Sequence, residues 1–229
     1  MSLITTQTRH VKAAAIASSA AFICTAVLYF CPIDIDHKIA IPLSILTLAS
    51  LWLCPLTISF AMAFSAIGDY FGSCGNFIGQ MGFFGLAQIT FICFFANRYF
   101  KKVEPDFKLT GKAKGFLAMM VLCAVLIAHV AFTRILPEAP EGIIRIGMGI
   151  YTSMICTMLI SATLQRSSLY ALGAILFVFS DFILAWNKFV EPIEYSRYLI
   201  IVPYYLGQWL LYIRSTSFRV GPEMRLMRF

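Results

Sequence analysis

The sequence predicts an all-α integral membrane bundle of eight transmembrane helices, with both termini in the cytoplasm. Three observations predict it. Of 229 residues, 60% are hydrophobic and 13% are charged, where a soluble domain has about half and about a quarter. Mean hydropathy is +0.82. Eight apolar runs follow one another with short connections, filling the chain as a single transmembrane domain over residues 1–229. Lys and Arg are divided unevenly between alternate connections, as expected when cytoplasmic loops collect positive charge.

The apolar runs place the helices at about 13–31, 39–53, 55–71, 76–96, 115–135, 143–163, 168–187 and 197–214. The first follows Arg9 and Lys12 and runs from Ala13 to Phe30. It is longer than the apolar region of a signal peptide and no small-residue cleavage pattern follows, so it reads as a retained helix. Cys31 lacks the small residues that precede a lipoprotein cysteine. The second and third runs are short and divide around Pro55, which interrupts helical hydrogen bonding. The fourth opens among glycines at 72, 75, 79, 82 and 85, whose spacing makes a smooth face for close helix contact. The long 97–114 connection carries six basic residues and Pro105.

Orientation follows from the charges. The N-terminus, the 97–114 and 163–168 connections and the C-terminal end together hold thirteen Lys and Arg; the other side holds five. The thirteen should face the cytoplasm. The formal net charge of +7 therefore reports topology and contact with anionic headgroups, and no nucleic-acid partner is expected. The seven cysteines include no CxxC pair and mostly lie in apolar runs. They read as small apolar filler rather than as disulfides or metal ligands.

Ionisable groups inside spans are costly, and they usually face a cavity or a partner. Asp69, Asp181 and His129 are the informative ones. At 1.5 Å per residue, they lie roughly 20, 18 and 21 Å from the cytoplasmic face of a core about 30 Å thick. Agreement of three helices on one level suggests a common polar pocket. Two close carboxyls in a low dielectric cannot both ionise easily, so one would hold a proton while the other stays anionic. The plainer role for each is an interhelical hydrogen bond. Gln88 continues the glycine face of the fourth helix, and Tyr204, Tyr205, Gln208 and Trp209 offer donors on the eighth. An Asp followed one helix later by a Gln occurs twice, as Asp69 with Gln88 and Asp181 with Gln208, which suggests a parallel repeat. Too few His and carboxylate residues lie in spans for a zinc hydrolase, and no GxSxG marks a serine hydrolase. No metal or other cofactor is expected.

Four segments resemble the lysoplasmalogenase family of membrane proteins, also called the YhhN family: SAIGDYFG, FIGQMGFFGLAQITF, GAILFVFSDFILAWNKF and SRYLIIVPYYLGQWLL. The likeness is strongest over 60–100 and 170–215. Many members have His where this chain has Gln88, and many have Lys just before the proline of the second helix, where this chain has Ile41 before Pro42 and its nearest Lys at Lys38. The resemblance implies hydrolysis of the vinyl ether bond of lysoplasmalogens, releasing a fatty aldehyde and glycerophosphoethanolamine or glycerophosphocholine. The carboxyl pair suits that chemistry, with Asp69 and Asp181 as the candidate catalytic acid and base, in an order left open. The candidate substrate contacts are Gln88, His129, Asn187, Lys188, Tyr204, Tyr205 and Gln208. Partners would be the lysophospholipid substrate and membrane lipids, in a bacterial cytoplasmic membrane. Two rivals remain: a small proton-coupled transporter, and a structural or sensing subunit whose polar residues only join helices.

Overall fold

A computed structural model describes residues 2–102 and 111–216 of the chain. Among these residues the fold is all helical. Eight α-helices run in order: α1 (Ser2–Phe30), α2 (Ile41–Leu53), α3 (Leu56–Ser73), α4 (Phe77–Lys102), α5 (Gly111–Val130), α6 (Ile143–Thr163), α7 (Ser168–Phe189) and α8 (Ser196–Thr216). The number and order are those predicted from the apolar runs. Pro105, Lys108 and the C-terminal basic residues Arg219, Arg225 and Arg228 lie outside the described residues.

Five stretches are long and apolar enough to cross a membrane: Arg9–Phe30, Phe77–Lys101, Gly111–Glu138, Ile143–Thr163 and Ser168–Phe189. Their outward faces carry bare apolar side chains such as Ile16, Leu122, Leu126 and Ile150. In water such a surface would aggregate, and these features mark an integral membrane protein. Helix α2 has only 13 residues, which rise about 20 Å. Helix α4 continues past the apolar run to Lys102, because Arg and Lys propagate a helix well once apolar residues have started it. Helix α5 begins earlier than predicted, at Gly111. It gives way at Ala131–Ile135 to a π-helical turn and at Leu136–Glu138 to a 3₁₀ turn.

The chain divides into two compact units. The first takes α1, α2, α3, α4 as far as Thr90, and α8 from Gln208 onward. Its break between α2 and α3 is local: Cys54 is extended ahead of Pro55, as a residue preceding proline prefers. The turn from α3 to α4 uses Gly75 at φ 73°, and Asn76 caps α4 by accepting the Gly79 N–H at 2.9 Å. The α3–α4 hairpin is tightly packed. A Cβ at Gly68 would stand 3.1 Å from the Phe84 ring, and one at Gly72 would stand 2.7 Å from the Gln80 side chain. Gly79 likewise abuts Phe71, whereas Gly82 faces open space. The predicted glycine face is therefore a packing surface only in part. Helix α8 joins α1 through Ser18 and Tyr212, whose hydroxyls are 2.7 Å apart, and through Trp209 Nε1, which donates to Ser19 Oγ at 3.0 Å. Lys38 donates to the carbonyls of Cys31 and Ile33, so it ties down its own loop.

The second unit spans Phe91–Gly207. Its helices α6 and α7 form a hairpin whose turn holds Arg166 at φ 51°. Gln165 Nε2 donates to the Phe95 carbonyl at 2.9 Å, and Cys156 Sγ donates to the Ala124 carbonyl at 3.5 Å. Arg145 gathers the loop before α6, donating to the carbonyls of Pro137 and Ala139 and pairing with Glu141. Helices α7 and α8 meet backbone to backbone: a Cβ at Gly207 would lie 2.8 Å from the Gly173 carbonyl oxygen.

Candidate active site

In the first unit, the polar interior is built on one stripe of α3. Ser65 and Asp69 are one turn apart and lie at 0% and 1% exposure. Ser65 Oγ donates to the Ala61 carbonyl at 3.0 Å and accepts from Gln208 Nε2 at 2.9 Å. Helix α8 is thereby pinned to α3 through two polar side chains in an otherwise apolar setting of Ala61, Met62, Ala87 and Leu211. Gln88 is fully buried on α4, and neither its amide oxygen nor its nitrogen has a hydrogen-bond partner among the described residues. The Oε1 of Gln208 has none either. A buried amide without partners is rare in a folded chain and costs about 1–3 kcal/mol.

In the second unit, Asp181 accepts a hydrogen bond from the Tyr151 hydroxyl of α6. Its neighbour Ser180 donates to the Ile200 carbonyl of α8 at 2.8 Å. This bond joins α7 to α8 on the turn before Pro203 of α8. Tyr204 and Tyr205 are buried, with ring centroids 5.5 Å apart, and Tyr204 meets Phe177 edge to face at 5.5 Å. These rings make an aromatic wall on the turn of α7 before Asp181.

The remaining predicted positions lie elsewhere. His129 has an exposed side chain on α5. Asn187 Oδ1 accepts the Ile193 N–H at 2.8 Å, which holds the loop between α7 and α8. Lys188 is exposed, with its ammonium 5.9 Å from the Phe189 ring. Two partners were not predicted. Tyr151, the partner of Asp181, is a lone polar tyrosine in an apolar run. Ser65, the partner of Gln208, sits one turn before the predicted Asp69 and shares its helix face.

As for metal ligands, His37 Nδ1 lies 2.7 Å from Ser73 Oγ and 3.9 Å from Cys74 Sγ. Among the described residues, no three His, Cys, Asp or Glu side chains come together as a metal site. An open groove of about 460 Å³ between Phe132, Leu136, Ile146 and Ile150 contains none of the predicted site residues.

A buried carboxyl, buried amides and buried tyrosines inside long apolar helices define an integral membrane protein with polar groups in its interior. The YhhN family model matches residues 37–215, and the chain belongs to the YhhN family. It is similar to proteins named lysoplasmalogenase. Identity to the human protein TMEM86B is 26% over 160 residues, covering 66% of this chain and 59% of that one. Identity to bovine TMEM86A is 28% over 175 residues, covering 71% of this chain and 66% of that one. Identity to pig TMEM86B is 29% over 119 residues, covering 52% and 49%. The matches thus span half to two thirds of these relatives' own length. No solved structure matches the chain.

Proposed function

We propose that this protein is a membrane hydrolase that cleaves the vinyl ether bond of lysoplasmalogens. The observation that carries the reading is Asp69, a carboxyl at 1% exposure within the segment matched by the family model. The names of the curated relatives support the substrate class. All eight helices serve as spans, with α2 and α3 acting as short ones, and both termini lie in the cytoplasm of a bacterial cell.

The chemistry suits carboxyls in an apolar interior. A vinyl ether is protonated on its β-carbon, giving an oxocarbenium ion at the carbon bonded to oxygen. A neutral carboxylic acid supplies that proton. An anionic carboxylate stabilises the cation and then takes a proton from the water that adds to it. The resulting hemiacetal loses a proton from its new hydroxyl as the glycerol oxygen gains one. The carbon–oxygen bond breaks, and fatty aldehyde leaves with glycerophosphoethanolamine or glycerophosphocholine. One water is consumed. Asp69 and Asp181 are the carboxyls we assign to these two roles, in an order left open.

The test is aldehyde release by the purified protein in detergent. The wild type should form aldehyde from a lysoplasmalogen. Asp69→Asn and Asp181→Asn should each lower kcat by about 10²–10⁴-fold, the range of positioned acid–base groups, while still unfolding cooperatively. A wild type inactive on every vinyl ether lipid sinks the hydrolase reading. Full activity in both variants removes the carboxyl mechanism.

A further inference from the structure

We infer that Gln88, together with Gln208, binds the free sn-2 hydroxyl of the lysolipid and so makes the protein select lysoplasmalogens over their 2-acylated parents. The inference rests on the vinyl ether hydrolase reading and adds the part of the substrate that the amides read. Gln88 is at 0% exposure, with donor and acceptor both unpartnered among the described residues. A hydroxyl group is the small substituent that needs both, since it donates one hydrogen bond and accepts others. Gln208 adds a second unpartnered acceptor, its Oε1, while its Nε2 is committed to Ser65.

The hairpin register puts these groups in one layer. Gly68 faces Phe84 and Gly72 faces Gln80, so α3 and α4 pair about Asn76. That register sets Gln88 level with Phe64, next to Ser65, which carries Gln208. Asp69 lies one turn along α3, a rise of about 6 Å. In the substrate, the sn-2 oxygen and the vinyl β-carbon are five bonds apart, roughly 6 Å when extended at bond lengths near 1.5 Å. A hydroxyl held at the amide layer therefore brings the β-carbon to the level of Asp69. An ester at sn-2 has no hydrogen to donate and leaves the amide acceptors unpaired.

The experiment compares a lysoplasmalogen with its 2-deoxy analogue, in which hydrogen replaces the hydroxyl. Sites built to hydrogen-bond a hydroxyl reject the analogue lacking it, and the wild type should prefer the lysolipid by at least about 100-fold in kcat/KM. In Gln88→Leu the two values should converge, with the lysolipid falling about 100-fold. Gln88→Asn, which keeps a shorter amide, should lie between. Equal rates on both lipids in the wild type, or an equal loss on both in Gln88→Leu, overturns the inference. A parallel titration uses the two corresponding 1-O-alkyl lipids, which have no vinyl ether to cleave. Preferential binding of the hydroxylated one, lost in Gln88→Leu, supports the subsite even if aldehyde never forms. Equal binding of both discards the subsite even if hydrolysis proceeds.

Discussion

Tyr151 and Asp181 are hydrogen bonded across the α6–α7 hairpin, and each lies fifteen residues from Arg166, the left-handed residue of its turn. Straight antiparallel helices pair residues equidistant from their turn, so the contact follows from the loop position. Under the proposed mechanism, the Tyr151 hydroxyl would orient the Asp181 carboxyl. Tyr151→Phe should therefore lower kcat for aldehyde release about tenfold and shift the melting temperature only slightly, since a single hydrogen bond contributes about 0.5–1.5 kcal/mol. Aldehyde release and a thermal melt on the same preparation check it. Unchanged kcat would remove Tyr151 from the mechanism.

Asn187 is among the expected substrate contacts, and its side-chain oxygen accepts the Ile193 N–H. Asn187→Ala leaves that N–H without its partner and frees the 190–195 loop. The expected result is a loss of about 1 kcal/mol in stability, with KM for the lysolipid unchanged within about twofold. A KM that rises tenfold with no change in stability would instead place Asn187 at the substrate.

Helix number, order and approximate bounds were legible because twenty apolar residues in a row have few other uses. The burial of Asp69, Gln88 and Gln208 was legible for the same reason, since polar groups inside spans turn away from lipid. Which way His129 points was not. Lipid and helix interior are equally apolar, so α5 carries no polar stripe to distinguish its faces. Its outer face displays Leu122, Val125 and Leu126, and His129 is exposed like them. Tyr151 and Ser65 were missed because tyrosine and serine are common in spans, and only their partners mark them. The equidistance from Arg166 could have paired Tyr151 with Asp181. No comparable rule pairs Ser65 with Gln208, which are 143 residues apart in sequence.

The α7–α8 contact sets a steric limit that a single methyl group tests. At Gly207 a Cβ would sit 2.8 Å from the Gly173 carbonyl oxygen and 3.2 Å from the Phe177 amide nitrogen. Both obstacles are backbone and cannot rotate away. Gly207→Ala should force the helices apart and destabilise the fold by about 1–3 kcal/mol, as overpacking does. The wall formed by Phe177 and Tyr204 should loosen with it, so activity should fall by more than the loss of folded protein explains. Gly82→Ala is the control: nothing lies within 4 Å of its added Cβ. It should be neutral or slightly stabilising, since alanine favours helix over glycine by about 1 kcal/mol. Equal melting temperatures for the two variants would contradict the close approach.

Gln88 allows stability and function to be separated in one substitution. With its amide buried and unpartnered among the described residues, the ligand-free fold bears the cost of a desolvated donor and acceptor, about 1–3 kcal/mol. Leu has nearly the same volume and no polar atoms. Gln88→Leu should therefore melt higher than the wild type when no lipid is present. With a saturated 1-O-alkyl lysolipid the order should reverse, because ligand binding stabilises only the protein that holds it well. A group retained at a cost to stability and recovered on binding is what a recognition residue requires, and a packing residue shows no such reversal. Melting curves of both proteins with and without lipid decide the matter. A Gln88→Leu variant that melts lower in both conditions shows that the amide supports the fold and has no ligand to meet.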